Sequence, residues 1–600
     1  MSDVEGEDEF QDAQETITRP TTMDLDTAID EAKKAINCFF NNDFDSAKKI
    51  LEPWAESSMY HSLGTAVFAC LEAFLTFEEQ SIAKASESLK MCMNVCSKQR
   101  RHVTLTQNIG KMVKRTNYDN YTDEEVHAEL CYAESLLMKA MLTFVEDETL
   151  VSFVKAGLKI RTCFLLYKEC LIILKSRKWT NETHRLHFES GVRMGIGTFN
   201  LMISLLPGRV IKLLEFIGFS GDKEYGLREL KLGYNEKRGI RQVLCAMTLL
   251  SYNLIATFIL SHTDGDLDFC KKSLAEQLDY YPNGVWFLFF KGRLEFIQGN
   301  MEESINWYKK SWRSQELWPQ FHHLCFWELM WAHCVKQEWD DALFYAISLA
   351  EQSNWSRTIY LYQQAAIMIM RKPDPKSSDR DCINNLMMQV PTHKQRIAGK
   401  SLPMEKFVCK KAERYFSQSK NLVLPIFELM FVWNVFRVVG KRKDLIMNMY
   451  KVIEDEEKSL KNSSKSEYDP DNNALLLLIK GACLRQMKHP LQAEDCLKQI
   501  IRMEKQIKED TYLVPYAVVE LAVLARDRGD LTTAICLLED AKRNYTGYSL
   551  ESRLHFRIHA DLLELNSKKA TNGKKIEVAE EAEEATEAIL SELISKSTVD

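Results

Sequence analysis

The feature that most constrains this chain is a two-helix pattern that recurs with small residues at fixed places. Residues 291–312 show it in full, with Gly292 in a first helical segment, a Gly-Asn turn, and Ser304 followed by Tyr308 in a second segment. Small residues at the crossing of two antiparallel helices let the backbones approach, and large residues fill the holes between neighbouring helix pairs. The pattern therefore predicts helical hairpins that stack on one another.

Three more units and one half unit follow the same pattern. Their small crossing residues are Ala342, Ala493 and Ala534, and residues 42–51 resemble the second half of a further unit. Ser304 and Ala342 are 38 residues apart, so the units are longer than the roughly 34 residues of the tetratricopeptide motif that they otherwise match. With 23 glycines and 13 prolines in 600 residues, the chain is too poor in turn formers for an all-β fold. The sequence predicts an all-α, tetratricopeptide-like helical-repeat superhelix (an α-solenoid) with disordered acidic tails.

Composition and turn signals divide the chain into five regions. The net charge of −7 comes largely from the two ends, which are rich in Asp and Glu. The predicted regions are a disordered acidic arm at 1–20, an N-terminal helical-repeat region with long buried helices at 21–370, a helical connecting region with flexible links at 371–470, C-terminal tetratricopeptide repeats with a capping helix at 471–565, and a disordered tail at 566–600.

The 16 cysteines are scattered from Cys38 to Cys536 and form no CxxC pair. A disulfide framework belongs to short secreted chains, and a zinc module needs paired ligand spacings. The cysteines are therefore interpreted as small buried hydrophobic residues in a reducing compartment. We expect the protein in the cytoplasm, with the nucleus and the surface of a lipid droplet or of the outer mitochondrial membrane as alternatives.

One segment has the length and composition of a membrane span. Residues 242–263 carry no formal charge, and a span needs about 20 predominantly apolar residues. Polar residues such as Asn253 and Thr257 interrupt the segment on more than one helix face, and the central helix of a large helical protein is also apolar all round. We favour a buried helix and keep membrane attachment as the alternative.

The motifs of catalysis are mostly absent. The sequence contains neither HExxH nor GxSxG. Residues 399–401 (Gly-Lys-Ser) end like a phosphate-binding loop, but Lys394 stands where the first glycine of that loop belongs. His555 and His559 stand one helical turn apart, as two metal ligands would, but no third ligand is identifiable beside them. We therefore expect no enzyme activity, no metal or other cofactor and no small-molecule substrate.

Three glycines in one helical segment loosely resemble the glycine motif of dinucleotide-binding proteins. They are Gly191, Gly195 and Gly197. No strand precedes them and their spacing does not match that motif. They are interpreted as positions where one helix packs closely against another.

The stretch 390–414 is rich in basic residues and holds only two glutamates. One interpretation is a solvated helix face. The other is a patch that binds an acidic peptide, anionic lipid headgroups or the acidic arm of the chain itself. Nucleic acid is not expected, because the nearby aromatic residues look core-directed and are not interleaved with the basic ones. The candidate patch consists of Lys394, Arg396, Lys400, Lys406, Lys410, Lys411 and Arg414.

Five long segments keep a characteristic order along the chain, namely 151–170, 200–227, 322–331, 390–403 and 550–565. They resemble the tetratricopeptide repeat protein 39 family, which is related to the fungal inclusion-body clearance proteins. The resemblance implies an intracellular helical-repeat adaptor, and the family offers no catalytic residues to carry over. It also associates the chain loosely with lipid or sterol homeostasis and with clearance or turnover of proteins.

Certain positions in the first helix of each unit usually line the concave groove of such arrays. The candidate partner-binding residues at these positions are Arg293, Trp327, Trp331, Arg485 and Arg526. Arginine and tryptophan are favoured where proteins bind one another. The positions at which other repeat proteins clamp a carboxylate with Lys and Asn are mostly apolar here, so that clamp is not expected. The groove is then either open to a hydrophobic partner segment or filled by the chain itself.

The leading hypothesis from the sequence is a non-enzymatic scaffold that holds one or more protein partners through its repeat surface. Apolar anchors would supply the affinity and arginine pairing the specificity. The alternative is a peripheral membrane protein that binds anionic lipid through its basic stretches.

Overall fold

The computed structural model describes residues 23–76, 78–101, 117–146, 150–206, 221–353, 355–371, 378–397, 400–463 and 465–569. The predicted tails lie outside these residues, except that the last helix runs to residue 569 and so extends into the segment predicted as tail. Nearly all described residues outside the turns are helical, which confirms the predicted all-α fold. The exception is an antiparallel pair of two-residue strands, β1 (Arg396–Ile397) and β2 (Lys400–Ser401).

The helices that precede residue 281 form the N-terminal part of the array. They are α1 (Leu25–Phe40), α2 (Phe44–Leu51), α3 (Met59–Thr76), α4 (Glu79–Gln99), α5 (Asp123–Glu146), α6 (Leu150–Ser176), α7 (Glu182–Ser204), α8 (Lys223–Asn235), α9 (Gln242–Leu260) and α10 (Leu267–Tyr280).

The remaining helices begin with the clearest repeat unit and end with a helix at the C-terminal side. They are α11 (Val285–Gln298), α12 (Met301–Trp312), α13 (Pro319–Lys336), α14 (Trp339–Gln352), α15 (Arg357–Met370), α16 (Ser378–Gln389), α17 (Pro403–Ser417), α18 (Pro425–Val432), α19 (Phe436–Val439), α20 (Lys443–Asn462), α21 (Asp469–Gln486), α22 (Pro490–Arg502), α23 (Leu513–Asp527), α24 (Leu531–Asn544) and α25 (551–569).

Five helix pairs share one turn geometry. A turn residue after the first helix has a positive φ between 61° and 84°, and the small crossing residue lies five positions further on and is fully buried. Because α1 supplies the first helix, the half unit found in the sequence is a whole unit. The pairs of turn and crossing residues are Asn42 with Ala47, Gly299 with Ser304, Gln337 with Ala342, Lys488 with Ala493, and Gly529 with Ala534.

The crossing of α11 and α12 shows how the small residues act. The Ser304 hydroxyl donates a hydrogen bond of 2.9 Å to the backbone carbonyl of Gly292. A Cβ atom on Gly292 would lie 2.7 Å from the Tyr308 ring. The two helices are therefore so close at this point that only a residue without a Cβ atom, glycine, fits between them.

The glycines of α7 serve the same purpose, as the sequence interpretation proposed. A Cβ atom on Gly195 would overlap the ring of Tyr167 in α6. A Cβ atom on Gly197 would lie 2.9 Å from the carbonyl oxygen of Gly226 in α8. These glycines therefore set the spacing of three consecutive helices.

The interior of the superhelix is occupied by α18, α19 and the turn between them. The amide of Asn434 donates to the carbonyl of Phe258 over 2.9 Å, and the guanidinium of Arg437 donates to the carbonyl of Thr263 over 2.8 Å. Helix α25 closes the same region, with the Asp561 carboxylate 2.6 Å from His262. The largest hydrophobic core runs without a break across the predicted region limits at 370 and 470.

Among the described residues, one helix, α9, is long and apolar enough to cross a membrane. None of its residues is exposed, and Leu249 and Leu254 are fully buried. A π-helical turn at Tyr252–Ala256 interrupts it, and the Asn253 side chain accepts a hydrogen bond of 2.8 Å from the backbone N–H of Asp266. These contacts favour a core helix.

We predict that Gly197→Ala lowers the free energy of unfolding by about 1–3 kcal/mol, the usual penalty for overpacking. The added methyl group would press on the backbone of α8, which cannot rotate away as a side chain can. Thermal unfolding of the full chain measures the effect.

Gly481→Ala is the matched control for this change. Its new Cβ atom would lie 3.2 Å from the side chain of Leu497, so that side chain would have to move by only a few tenths of an ångström. Alanine also favours the helix by up to about 1 kcal/mol over glycine, so this variant should unfold close to the wild-type temperature. Equal losses in the two variants would contradict the assigned role of the α7–α8 contact.

Candidate functional site

The predicted basic patch is split between two faces of α17. Lys406 and Lys410, one helical turn apart, are exposed. Lys411 and Arg414 lie on another face and are 3% and 7% exposed. These last two residues cannot contribute to a surface patch, which corrects the prediction for them. The physical reason is the phase of the helix, since a stretch of like charges in the sequence need not lie on one side.

Lys411 and Arg414 neutralise a buried acidic cluster between α17, α18 and the turn before α23. The Lys411 ammonium lies 2.5 Å from the Glu428 carboxylate and 2.7 Å from that of Asp510. Arg414 also pairs with Asp510, and its second nitrogen donates to the side-chain oxygen of Asn472 over 2.7 Å. Every charge in this cluster therefore has a partner of opposite sign.

The two carboxyl groups of this cluster respond differently to burial. Burial raises the pKa of Asp510, but the charges of Lys411 and Arg414 outweigh it and leave the pKa below its ordinary value. Burial dominates at Glu428 and raises its pKa in spite of Lys411. Asp510 is therefore the anion on which both cations depend.

The other members of the predicted patch lie before α17. Lys394 is exposed after a 3₁₀ turn at Val390–His393. Arg396 and Lys400 belong to β1 and β2, and their side chains lie outside the described part of the structure.

The exposed face of α17 forms one wall of a groove with a volume of about 1050 Å³. Helix α24 contributes Lys542 and Arg543 to the opposite side, and α25 contributes Phe556 and His559. The turn between these two helices closes one end, with Gly547 at a φ of 77°. We call this cleft the C-terminal groove.

The C-terminal groove carries an excess of positive charge over a largely apolar floor. Arg543 is paired with Glu539 over 2.9 Å. Lys406, Lys410 and Lys542 have no ion pair with any residue that the structure describes, and all three are exposed. Anions that enter the groove would therefore meet three cations that have no ion pair among the described residues, against one further carboxylate in the lining, that of Glu551.

The two histidines of α25 face this groove. Burial, and then the nearby Lys542 ammonium, lower the pKa of His559 below its ordinary value. The imidazole is therefore neutral at pH 7, and its Nε2 atom is buried without a hydrogen-bond partner in the described structure. His555 also lines the groove. The two histidines therefore form part of the groove wall.

Sequence reasoning found Lys406 and Lys410 but missed Lys542, Arg543 and Phe556. More than 130 residues separate Lys410 from Lys542, so no local pattern links them. Lys542 and Arg543, adjacent at the end of α24, could be recognised as part of a site only once the structure showed that they line the same groove as α17.

Two of the residues that were predicted to line the concave groove, Arg293 and Trp331, are buried in the interior. Arg293 is 6% exposed and donates to the Glu328 carboxylate over 2.6 Å. Its guanidinium lies 4.3 Å from the centre of the Phe258 ring. Trp331 is 3% exposed. Neither side chain can serve as a surface anchor in this structure, which corrects the prediction for both.

The remaining three candidates are partly buried and already engaged. Trp327 packs edge-on against Trp433, with ring centres 5.3 Å apart. Arg485 pairs with Glu520 over 2.8 Å, and Arg526 bonds to its neighbour Asp527 over 3.0 Å. The concave surface is thus filled by the chain around these residues, whereas Lys406, Lys410 and Lys542 at the C-terminal groove are exposed.

One group of side chains in the described structure has the spacing of metal ligands, namely His333, Glu338 and Asp341. The Glu338 carboxylate already contacts His333 over 2.7 Å and the Lys336 ammonium over 2.6 Å. A resident ammonium at this distance takes the place that a cation would need, so we assign no metal here.

Comparison with known proteins gives a consistent relationship over most of the chain. The family described as Iml2/Tetratricopeptide repeat protein 39 matches residues 33–487. The protein described as tetratricopeptide repeat protein ttc-39B of Caenorhabditis elegans is 36% identical over 561 residues, which cover 93% of this chain and 96% of the relative.

Two solved structures align along most of the chain with low similarity. Yeast Tom70 is 12% identical with a TM-score of 0.24, and the alignment covers 92% of this chain and 99% of that one. The Cut9-Hcn1 hetero-tetramer of the APC/C gives a chain that is 10% identical with a TM-score of 0.24, and the alignment covers 89% and 96%.

We predict that Asp510→Asn destabilises the protein by about 3–5 kcal/mol, because it removes the anion shared by two buried cations. Chemical denaturation of the full chain measures the loss.

The control is Asp340→Asn, which breaks an exposed pair with Arg371 of 2.8 Å in which the Asp340 side chain is 84% exposed. That change should cost about 0–1 kcal/mol. A small loss for Asp510→Asn would show that the cluster is not a structural centre.

Proposed function

Because this chain belongs to the Iml2/tetratricopeptide repeat protein 39 family, we propose that it is a non-enzymatic scaffold that holds acidic segments of protein partners. The repeat array provides a rigid frame, and the C-terminal groove provides the recognition surface. The observation that carries the proposal is the set of three uncompensated lysines around an apolar floor.

The groove has the two components that peptide recognition needs. An exposed ion pair is worth only about 0.2–1 kcal/mol, so three lysines alone would give weak binding. The apolar floor around Phe556 and Leu562 adds affinity when a hydrophobic side chain of the peptide covers it. The expected ligand is therefore a segment in which acidic residues flank one or two large apolar ones.

We also propose the cytoplasm as the compartment. All 16 cysteines are free thiols, and Cys382 and Cys536 are exposed. A reducing environment keeps such thiols from pairing between molecules. The family resemblance further supports a role in lipid or sterol homeostasis or in protein turnover, and a scaffold that binds acidic segments suits either role.

The proposal is tested with a triple variant, Lys406→Glu/Lys410→Glu/Lys542→Glu, in the full chain. Carbodiimide cross-linking, which joins a lysine amine to a nearby carboxylate as an amide, and mass spectrometry of affinity-purified complexes should place acidic partner segments beside these lysines in the wild type. The variant should recover those partners at least about tenfold less well, since three pairs worth about 0.5 kcal/mol each are lost.

The matched control reverses three exposed lysines on the N-terminal helices, Lys34→Glu/Lys49→Glu/Lys90→Glu, and has the same net charge. It should retain the partners. Equal loss in both triple variants, or partner cross-links away from the groove, would refute groove recognition. Binding of the wild type to anionic vesicles, abolished only by the groove variant, would assign the lysines to a membrane surface instead.

A further inference from the structure

A second cavity is lined mainly by helices of the N-terminal part of the array, namely α1, α3, α5 and α9. Its volume is about 450 Å³, and its lining is almost wholly apolar. The aliphatic and aromatic walls come from residues such as Ala35, Val67, Leu137 and Met247. A cavity of this size with an apolar lining is a candidate site for a small ligand.

The polar side chains at its edge are paired and carry no net charge. The Arg241 guanidinium holds the Glu134 carboxylate with two hydrogen bonds of 2.6 Å, and both residues are buried. The hydroxyl of Tyr60 lies 2.7 Å from Nδ1 of His127. A charged ligand group would therefore find no spare counter-charge among these side chains, and burying it would be costly.

One hydroxyl of the lining has no partner. The Tyr167 side chain is fully buried, and its hydroxyl makes no hydrogen bond in the described structure. Its ring is fixed against Gly195, where any Cβ atom would overlap it. The indole N–H of Trp286, also in the lining, is likewise buried without an acceptor among the described residues. Buried hydrogen-bond donors without an acceptor are rare, because they lose their hydrogen bonds to water on folding and gain none in return.

We propose that this cavity binds a neutral, largely apolar small molecule that carries a hydrogen-bond acceptor for Tyr167. An apolar cavity of about 150 Å³ holds a benzene ring, so by proportion the ligand has roughly 18 non-hydrogen atoms. A ketone, ether or ester oxygen on an aliphatic or polycyclic body has the required chemistry. This site is separate from the C-terminal groove and does not rest on the proposed protein-binding function.

The test uses the purified full chain and the neutral dye prodan, which carries a ketone acceptor and is close in size to the expected ligand. The wild type should bind the dye saturably at one site, with enhanced and blue-shifted emission. Val67→Trp should fill the cavity and abolish this binding, and Ala35→Leu should weaken it several-fold with a smaller change in packing. Saturable dye binding that is unchanged in either variant, with thermal unfolding at the wild-type temperature, would overturn the proposal, as would the absence of saturable binding.

Tyr167→Phe tests the acceptor contact. It removes an unpaired hydroxyl, so it should leave the unfolding temperature unchanged or higher while it weakens dye binding about fivefold. Tyr362→Phe is the matched control, because that hydroxyl is also buried without a partner in the described structure but does not line the cavity. Dye affinity should not change in the control. Equal affinities in all three proteins would remove the assigned role of Tyr167.

Competition distinguishes a neutral from an anionic ligand. 1-Decanol should displace prodan at a concentration at least about tenfold lower than decanoate at a pH of about 8, where the acid is ionised. Equal displacement by the two would overturn the neutral ligand class, since the same chain length leaves charge as the main difference.

Discussion

The close approach of paired helices at one small residue is the constraint on which the rest of the structure depends. In five units the chain turns through a residue with a positive φ and presents a fully buried Ala or Ser five positions later. Only two of the five turn residues are glycine, so the geometry is imposed by packing at the crossing as much as by local preference. The glycines of α7 apply the same rule between successive helix pairs, where even a methyl group would strike a neighbouring backbone or ring. Once these distances are fixed, large side chains fill the remaining space and the array closes around its own α18 and α19.

The repeat fold could be predicted because its determinants are local. The small residue, the turn and the large residue one helical turn later lie within about a dozen positions, so the pattern in residues 291–312 was readable without a structure. The sequence did not identify α1 as the first helix of a repeat unit, because α1 contains no glycine to mark the motif. The end of the last helix was missed by a few residues because Lys568 and its neighbours resemble a tail in composition, although Lys568 pairs with Glu564 one turn earlier.

The site residues were predicted less well, for two separate reasons. In α17 the sequence shows the number of charges but not the helix face that each occupies, so Lys411 and Arg414 looked equivalent to Lys406 and Lys410. Their burial depends on Glu428 and Asp510, which lie in distant parts of the chain. Arg293 and Trp331 were predicted to bind a partner because their positions in the repeat usually line the concave groove. That prediction holds only when no other part of the chain fills the groove.

The self-filled interior also determines where recognition can occur. Burial, and then its neighbour Arg557, lower the pKa of Arg553 to about 9. Arg553 and Arg557 both donate to the carbonyl of Val432, over 3.1 and 2.7 Å. A partner that displaced α18 would leave these guanidinium groups without that acceptor, and an unsatisfied buried donor costs free energy. Binding inside the concave surface is therefore less favourable than binding at a site that the chain leaves open. The C-terminal groove lies between α17 and the last two helices, and the apolar cavity is lined mainly by N-terminal helices. Because one is cationic and the other neutral, the two proposed ligands would not compete for the same site.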